Sequence, residues 1–268
     1  MHSIEAIKDT TIEFKEFSVL YTNADSLPNK LQELKSRITL GSSKPKIITI
    51  TEAKHKNKWN YSLSELQIEG YNIFTNDLGG ETRGIITYVS REIMCKQIQF
   101  FDSFTVYVLI ELCTDKINKF TLGTIYRSPN STSENDEKLL QALDNYCKNC
   151  HNKLLILGDF NYPNINWQNW STANTNNSGS QFLNILQKNY LIQHINQPTR
   201  IRGSDEPHIL DLAITNDSFI ENIELEAPLG NSDHSVITID CKLNITSSVK
   251  TSKYNFNKAD FDSLRDSF

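Results

Sequence analysis

Eight short runs rich in β-branched and aromatic residues recur along the chain, and they limit what it can fold into more than any other feature. They are FSVLYTN (17–23), KIITITE (46–52), RGIITYVS (83–90), VYVLIEL (106–112), KFTLGTIYRS (119–128), KLLILGDFN (153–161), ILDLAITN (209–216) and HSVITIDCKL (234–243). Each has the length and composition of a strand. Between them lie three stretches of helical periodicity. Leu27, Leu31, Leu34 and Ile38 share one face, with Asp25 or Ser26 available as N-cap and Pro28 in the first turn. Leu139, Leu143, Cys147 and Cys150 share a second, beginning near Ser133. Ser178 and Gln181 have capping-box spacing ahead of a third, FLNILQKNYL. Many strands with few helices predict an α/β fold of sandwich type, two sheets packed face to face with helices outside.

The 268 residues, 38% hydrophobic and 22% charged, suffice for one large domain. Polar residues 169–180 read as a loop and 244–260 as a linker, after which Phe261, Leu264 and Phe268 begin an amphipathic helix that stops at the chain end, as in a fragment. No run approaches the length of a membrane span and the N-terminus lacks a signal-peptide pattern, so the expected location is intracellular. The five cysteines are an odd number in mainly apolar surroundings and read as reduced core residues. CKNCH (147–151) matches a haem-attachment pattern, but its cysteines continue the apolar face of Leu139 and Leu143, and core packing is the better reading. A net charge of −5 excludes an extended basic surface, so a polyanion must be met locally or with the help of a metal.

The strands end alike. Apolar runs deliver Asn23 and Asp25, then Glu52, then Tyr126 and Arg127, then Asp159 and Asn161, while Asp211 sits inside LDL and Ser232, Asp233 and His234 precede the last strand. If these ends share one edge of the sandwich, they form an oxygen-rich set suited to a hard cation, Mg²⁺ or Mn²⁺. Hydrolysis of a phosphate ester is the chemistry that uses such a set. Asp211, between Leu210 and Leu212, is a carboxylate in a strand core that needs a partner, and His234 is the expected one.

The ordered motifs N-x-D, T-E, Y-R, G-D-F-N, L-D and S-D-H resemble those of the endonuclease/exonuclease/phosphatase superfamily, over about Phe17 to Leu243. Within it, YRSPN, LGDFNYPNINW, INQPTR and PLGNSDHSVI look like the endonuclease domain of LINE-type non-LTR retrotransposon polyproteins. The resemblance implies a deoxyribonuclease-like, four-layered α/β sandwich with mostly antiparallel sheets over residues 17–245. Residues 1–16 would then be an N-terminal extension, and 246–268 would lead toward a reverse transcriptase region. It further implies a Mg²⁺- or Mn²⁺-dependent endonuclease that nicks double-stranded DNA in the nucleus and leaves a 3′-hydroxyl to prime reverse transcription.

By the same resemblance Glu52 is the main metal ligand with Asp25 and Asp233 near the ion, and Asp159 orients or deprotonates the attacking water. Asn23 and Asn161 position phosphate and ligands, Tyr126 binds phosphate or the leaving oxygen, and His234 contacts the scissile phosphate with Asp211 behind it. Lys54, Lys56, Lys58, Arg127, Arg200 and Arg202 are expected on DNA phosphates, with Thr199 and Ser232 supporting the DNA or the site. The alternatives are an abasic-site repair endonuclease, a phosphoesterase of the same fold acting on inositol phosphates or sphingomyelin, and an inactive binding domain.

Overall fold

The computed structural model describes residues 6–41, 44–55, 61–76, 78, 82–100, 104–113, 119–175 and 177–253, with side chains between 16 and 243. One sheet has the order β13 (Ile220–Glu226), β14 (Val236–Lys253), β1 (Ala6–Asn23), β2 (Ile47–Thr51), β4 (Ile85–Ser90), β3 (Tyr71–Thr75). The other has the order β11 (Ile192–Gln193), β12 (Asp211–Thr215), β8 (Lys153–Asp159), β7 (Lys119–Tyr126), β6 (Tyr107–Cys113), β5 (Cys95–Ile98). A small hairpin joins β9 (Ile165–Asn166) to β10 (Ser171–Thr172). Pairing is antiparallel except for β1 with β2 and β7 with β8.

Strand alternation builds the layers. In β8, Leu155 and Leu157 point into the core between the sheets, where they join Val19, Tyr21, Val108, Ile110 and Ile237. Their neighbours Leu154 and Ile156 point the other way, under α2 (Ser133–Asn149) and α3 (Ser178–Lys188). On the far side Leu20, Ile48, Ile50 and Tyr88 pack beneath α1 (Leu31–Leu40), which presents Leu31, Leu34 and Ile38. The result is helix, sheet, sheet, helix, the four-layered sandwich expected from the sequence. No helix among the described residues is long and apolar enough to cross a membrane.

Several local expectations need correction. Asp25 and Ser26 do not cap α1: both have positive φ, 39° and 82°, and a 3₁₀ turn over Pro28–Lys30 leads into the helix without a side-chain cap. The backbone N–H groups of Ser26 and Leu27 instead donate to the Glu52 and Ala53 carbonyls, tying the turn to the end of β2. The cap of α3 is Asn177, one residue before Ser178, and its side chain accepts from the Ser180 N–H at 2.8 Å. Residues 246–253, within the expected linker, and 6–16, within the expected N-terminal extension, lie in strands. They pair antiparallel from Ala6 with Lys253 to Phe14 with Ile245 and lengthen β1 and β14; Thr and Ile in the first segment and Thr and Val in the second favour extended pairing. The expected helix at 261–268 lies outside the described residues.

Candidate active site

The two parallel pairs decide where the polar ends fall. Where β1 and β2 run side by side, Asn23 lies opposite Thr51, and the chain turns immediately after each. In the other sheet Tyr126 lies opposite Asp159 and Asp159 opposite Asp211, which puts three polar side chains across one sheet edge. Gly158 permits the closeness of this join: a Cβ there would meet the Ile125 carbonyl oxygen at 2.0 Å. Two hydrogen bonds then join the sheets at this edge. Asn23 Nδ2 donates to Asp159 Oδ2 at 2.9 Å, and the Tyr21 hydroxyl donates to Asp211 Oδ1 at 2.6 Å.

The resulting cleft encloses about 570 Å³ and includes Asn23, Asp25, Glu52, Tyr126, Asp159, Asn161, Asp233 and His234 in its lining. Glu52 holds φ at 47° and Asn161 at 49°, left-handed values that cost a non-glycine residue energy and turn each side chain off the strand direction. Glu52 Oε1 accepts from the Tyr126 hydroxyl at 2.9 Å, and Oε2 pairs with Arg83 at 2.7 Å. Arg83 also reaches Asp25 at 2.5 Å. The Asn23 side-chain oxygen accepts from the Asp25 N–H at 3.1 Å, which orients its amide toward Asp159.

His234 is buried, and its Nδ1 lies 2.7 Å from Asp211 Oδ2. Burial opposes the charged imidazole, but Asp211, with Asp159 and Asp233 behind it, raises its pKa to about 9. His234 is therefore an imidazolium at neutral pH. Asp159 is also buried. Desolvation and the Asp211 carboxylate opposite raise its pKa to about 8, His234 acting in the reverse direction. Its Oδ1, fully buried, has no hydrogen-bond partner among the described residues. Burial, followed by the charge of Glu52, lifts the Tyr126 phenol well above its ordinary value, so it remains a proton donor.

Thr199 and Ser232 lie behind the site, not toward DNA. The buried Thr199 hydroxyl accepts from the N–H groups of Leu210 and Asp211, at 3.2 and 3.0 Å, and Ser232 donates to the Asn23 carbonyl at 2.7 Å. Two expected DNA contacts also need correction. Lys54 is buried, with its ammonium on the Leu78 carbonyl at 2.8 Å. Arg127 is buried in a bidentate pair with Asp136, at 2.7 and 2.8 Å, and stacks over Tyr162. Each is a cation placed for packing and internal pairing. Lys56 and Lys58 lie outside the described residues. Arg200 and Arg202 do line the cleft, Arg202 exposed and Arg200 paired to Asp233 at 2.9 Å. Arg83 and Tyr21 were not anticipated. Tyr21 reads as an ordinary core aromatic, and Arg83 carries no signal short of the fold itself.

Asp159, Asp211 and His234 place ligand atoms within 4.8 Å of one another. Both oxygens of Asp211 are nevertheless engaged, by Tyr21 and His234, so this trio is a hydrogen-bonded relay and a poor cation cage. Glu52, Asp25 and Asp233 line the cleft with oxygen ligands of the kind a hard divalent cation takes. Two features agree with that fit: Glu52 and Asp25 share a positive group, Arg83, and the cleft also holds an orphaned carboxylate oxygen on Asp159.

Residues 120–238 match the family profile described as Endonuclease-reverse transcriptase. Among solved structures, the chain is similar to the endonuclease domain of TRAS1, a telomere-specific non-LTR retrotransposon, at 17% identity and a TM-score of 0.63, over 85% of this chain and 99% of that one. It is also similar to the AP endonuclease LMAP from Leishmania major, at 12% identity and a TM-score of 0.65, over 85% and 88% of the two chains. An AP endonuclease from Archaeoglobus fulgidus shares the fold at 13% identity and a TM-score of 0.58, over 83% and 98%. A search of curated proteins gives no match. The profile spans the strands that carry Tyr126, Asp159 and Asp211, and the chain shares its sandwich fold with these endonucleases.

Proposed function

We propose that the chain is a divalent-metal-dependent DNA endonuclease that nicks one strand of a duplex and leaves a 3′-hydroxyl from which a retrotransposon primes reverse transcription. In that role it would act in the nucleus, joined in the full polypeptide to a reverse transcriptase. The observation that carries the reading is the convergence of Glu52, Asp159 and the Asp211–His234 pair on one cleft, from four separate strand ends. The retrotransposon role draws on the match over 120–238 and on the likeness to the TRAS1 domain.

A Mg²⁺ or Mn²⁺ ion held by Glu52, with Asp25 and Asp233 near it, would neutralise charge on the phosphate and leaving oxygens. The protein's own groups do the rest. Charged His234, its tautomer fixed by Asp211, donates from Nε2 to a nonbridging oxygen of the scissile phosphate. Asp159, held by Asn23 through one oxygen, lines the cleft and in its ionised form takes the proton of the attacking water. Tyr126 offers its hydroxyl proton to the phosphate or the leaving oxygen, and Asn161, in the lining of the same cleft, positions the phosphate.

Supercoiled plasmid tests this. Full-length protein with Mg²⁺ should convert it to nicked circles that a polymerase can extend, and EDTA should abolish the conversion. Asp159→Ala and His234→Ala should each slow nicking by about 10²-fold or more. Cleavage confined to abasic oligonucleotides would move the reading to repair, and DNA binding without turnover would reject it.

A further inference from the structure

Arg83 is bound at three points. One terminal nitrogen lies 2.7 Å from Glu52 Oε2, the other 2.5 Å from Asp25 Oδ1, and Nε donates to the Lys54 carbonyl at 3.0 Å. Its backbone is fixed as well, since its own carbonyl accepts from the Lys54 N–H at 2.7 Å, just before Gly84 takes a φ of 74°. The side chains of Arg83 and Glu52 are 13% and 14% exposed, so solvent screens their attraction weakly. Because Tyr126 occupies Oε1, both oxygens of Glu52 are engaged.

This geometry leads to a specific consequence, which rests on the metal-dependent reading above. We propose that Arg83 is an internal counter-ion that occupies the divalent-cation position on Glu52 and Asp25 and must give up Glu52 before the ion can bind. The guanidinium and the ion would carry three positive charges against the same two carboxylates, so they compete. In exchange, the guanidinium keeps two like-charged acids together when no metal is bound, and the site is preformed. Arg83 is thus a positioning residue that sets metal affinity.

Calorimetric titration of Mn²⁺ into the EDTA-stripped full chain tests the exchange, with wild type, Arg83→Gln, Arg83→Lys and Glu52→Gln compared. Arg83→Gln should bind Mn²⁺ about tenfold more tightly than wild type, given the strength of a short ion pair sheltered from water. Arg83→Lys keeps the charge but loses the fork that spans both acids, and should fall between them. The melting temperature of Arg83→Gln should lie below wild type without metal and approach it in saturating Mn²⁺. Equal or weaker Mn²⁺ binding by both Arg83 variants would overturn the exchange while leaving metal dependence intact. If neither wild type nor Arg83→Gln shows binding that Glu52→Gln removes, the metal reading itself falls and the exchange with it.

Discussion

Lys54 and Arg202 are both cations near the strand ends in sequence, yet only one is available to a polyanion. Lys54 has its ammonium on a backbone carbonyl inside the protein, whereas Arg202 is exposed at the cleft wall. Arg202→Ala should therefore weaken DNA binding and reduce the slope of log affinity against log salt by about one. Lys54→Ala should leave that slope unchanged and lower the melting temperature, because it removes an internal hydrogen bond and packed methylenes. Binding isotherms across a salt series would separate the two, and a slope change in Lys54→Ala would contradict the burial argument. At this scale the sequence was a good guide where a residue type conflicted with its neighbours. Asp211 between two leucines demanded a partner, and His234 stands 2.7 Å away. It was a poor guide to Arg83, Lys54 and Arg127, since a basic residue beside a strand end looks the same whether it turns outward or folds back to pair.

The Arg127–Asp136 pair links β7 to the first turn of α2, and through the Asn161 carbonyl, 2.8 Å from Arg127, it braces the loop that follows β8. Burial disfavours the Asp136 carboxylate, but hydrogen bonds from Arg127 and from Ser131 outweigh it and hold the pKa below the usual range. A depressed folded-state value means that the contribution to stability is complete above the unfolded pKa of about 3.9 and disappears as pH falls through the folded value. Asp136→Ala should cost about 3 kcal/mol at pH 7 by leaving a buried guanidinium without its carboxylate. In urea unfolding the gap to wild type should narrow below pH 4, and a gap independent of pH would refute the assignment. Among the elements, the apolar central strands were legible because short continuous runs rich in aliphatic and β-branched residues, buried on both faces, leave little else for them to be. β3, β5, β9, β10, β11 and β13 were missed: β9, β10 and β11 have two residues each, CKQI is short, and IENIELE is an edge strand whose exposed side chains carry the charge of a surface loop.

Across the whole molecule, two sheets meet so that the ends of β1, β2, β7 and β8 share one rim with the start of β12 and the approach to β14. Asp25, Glu52, Asp159 and Asp233 line that opening together with Arg83, Arg200 and Arg202. The layered class followed from strand and helix periodicity; the meeting of the strand ends rested on motif order, since spacing along a chain does not report which ends of a sheet face each other. The register of β8 between β7 and β12 supplies that information. The most direct measurement is an anomalous difference map from crystals grown with Mn²⁺. The account predicts a strong peak at coordination distance from the Glu52 carboxylate, on the cleft side, with Arg83 displaced from Oε2. A peak on the Asp159, Asp211 and His234 trio alone, or no peak in the cleft of crystals whose dissolved protein still nicks DNA with Mn²⁺, would contradict it.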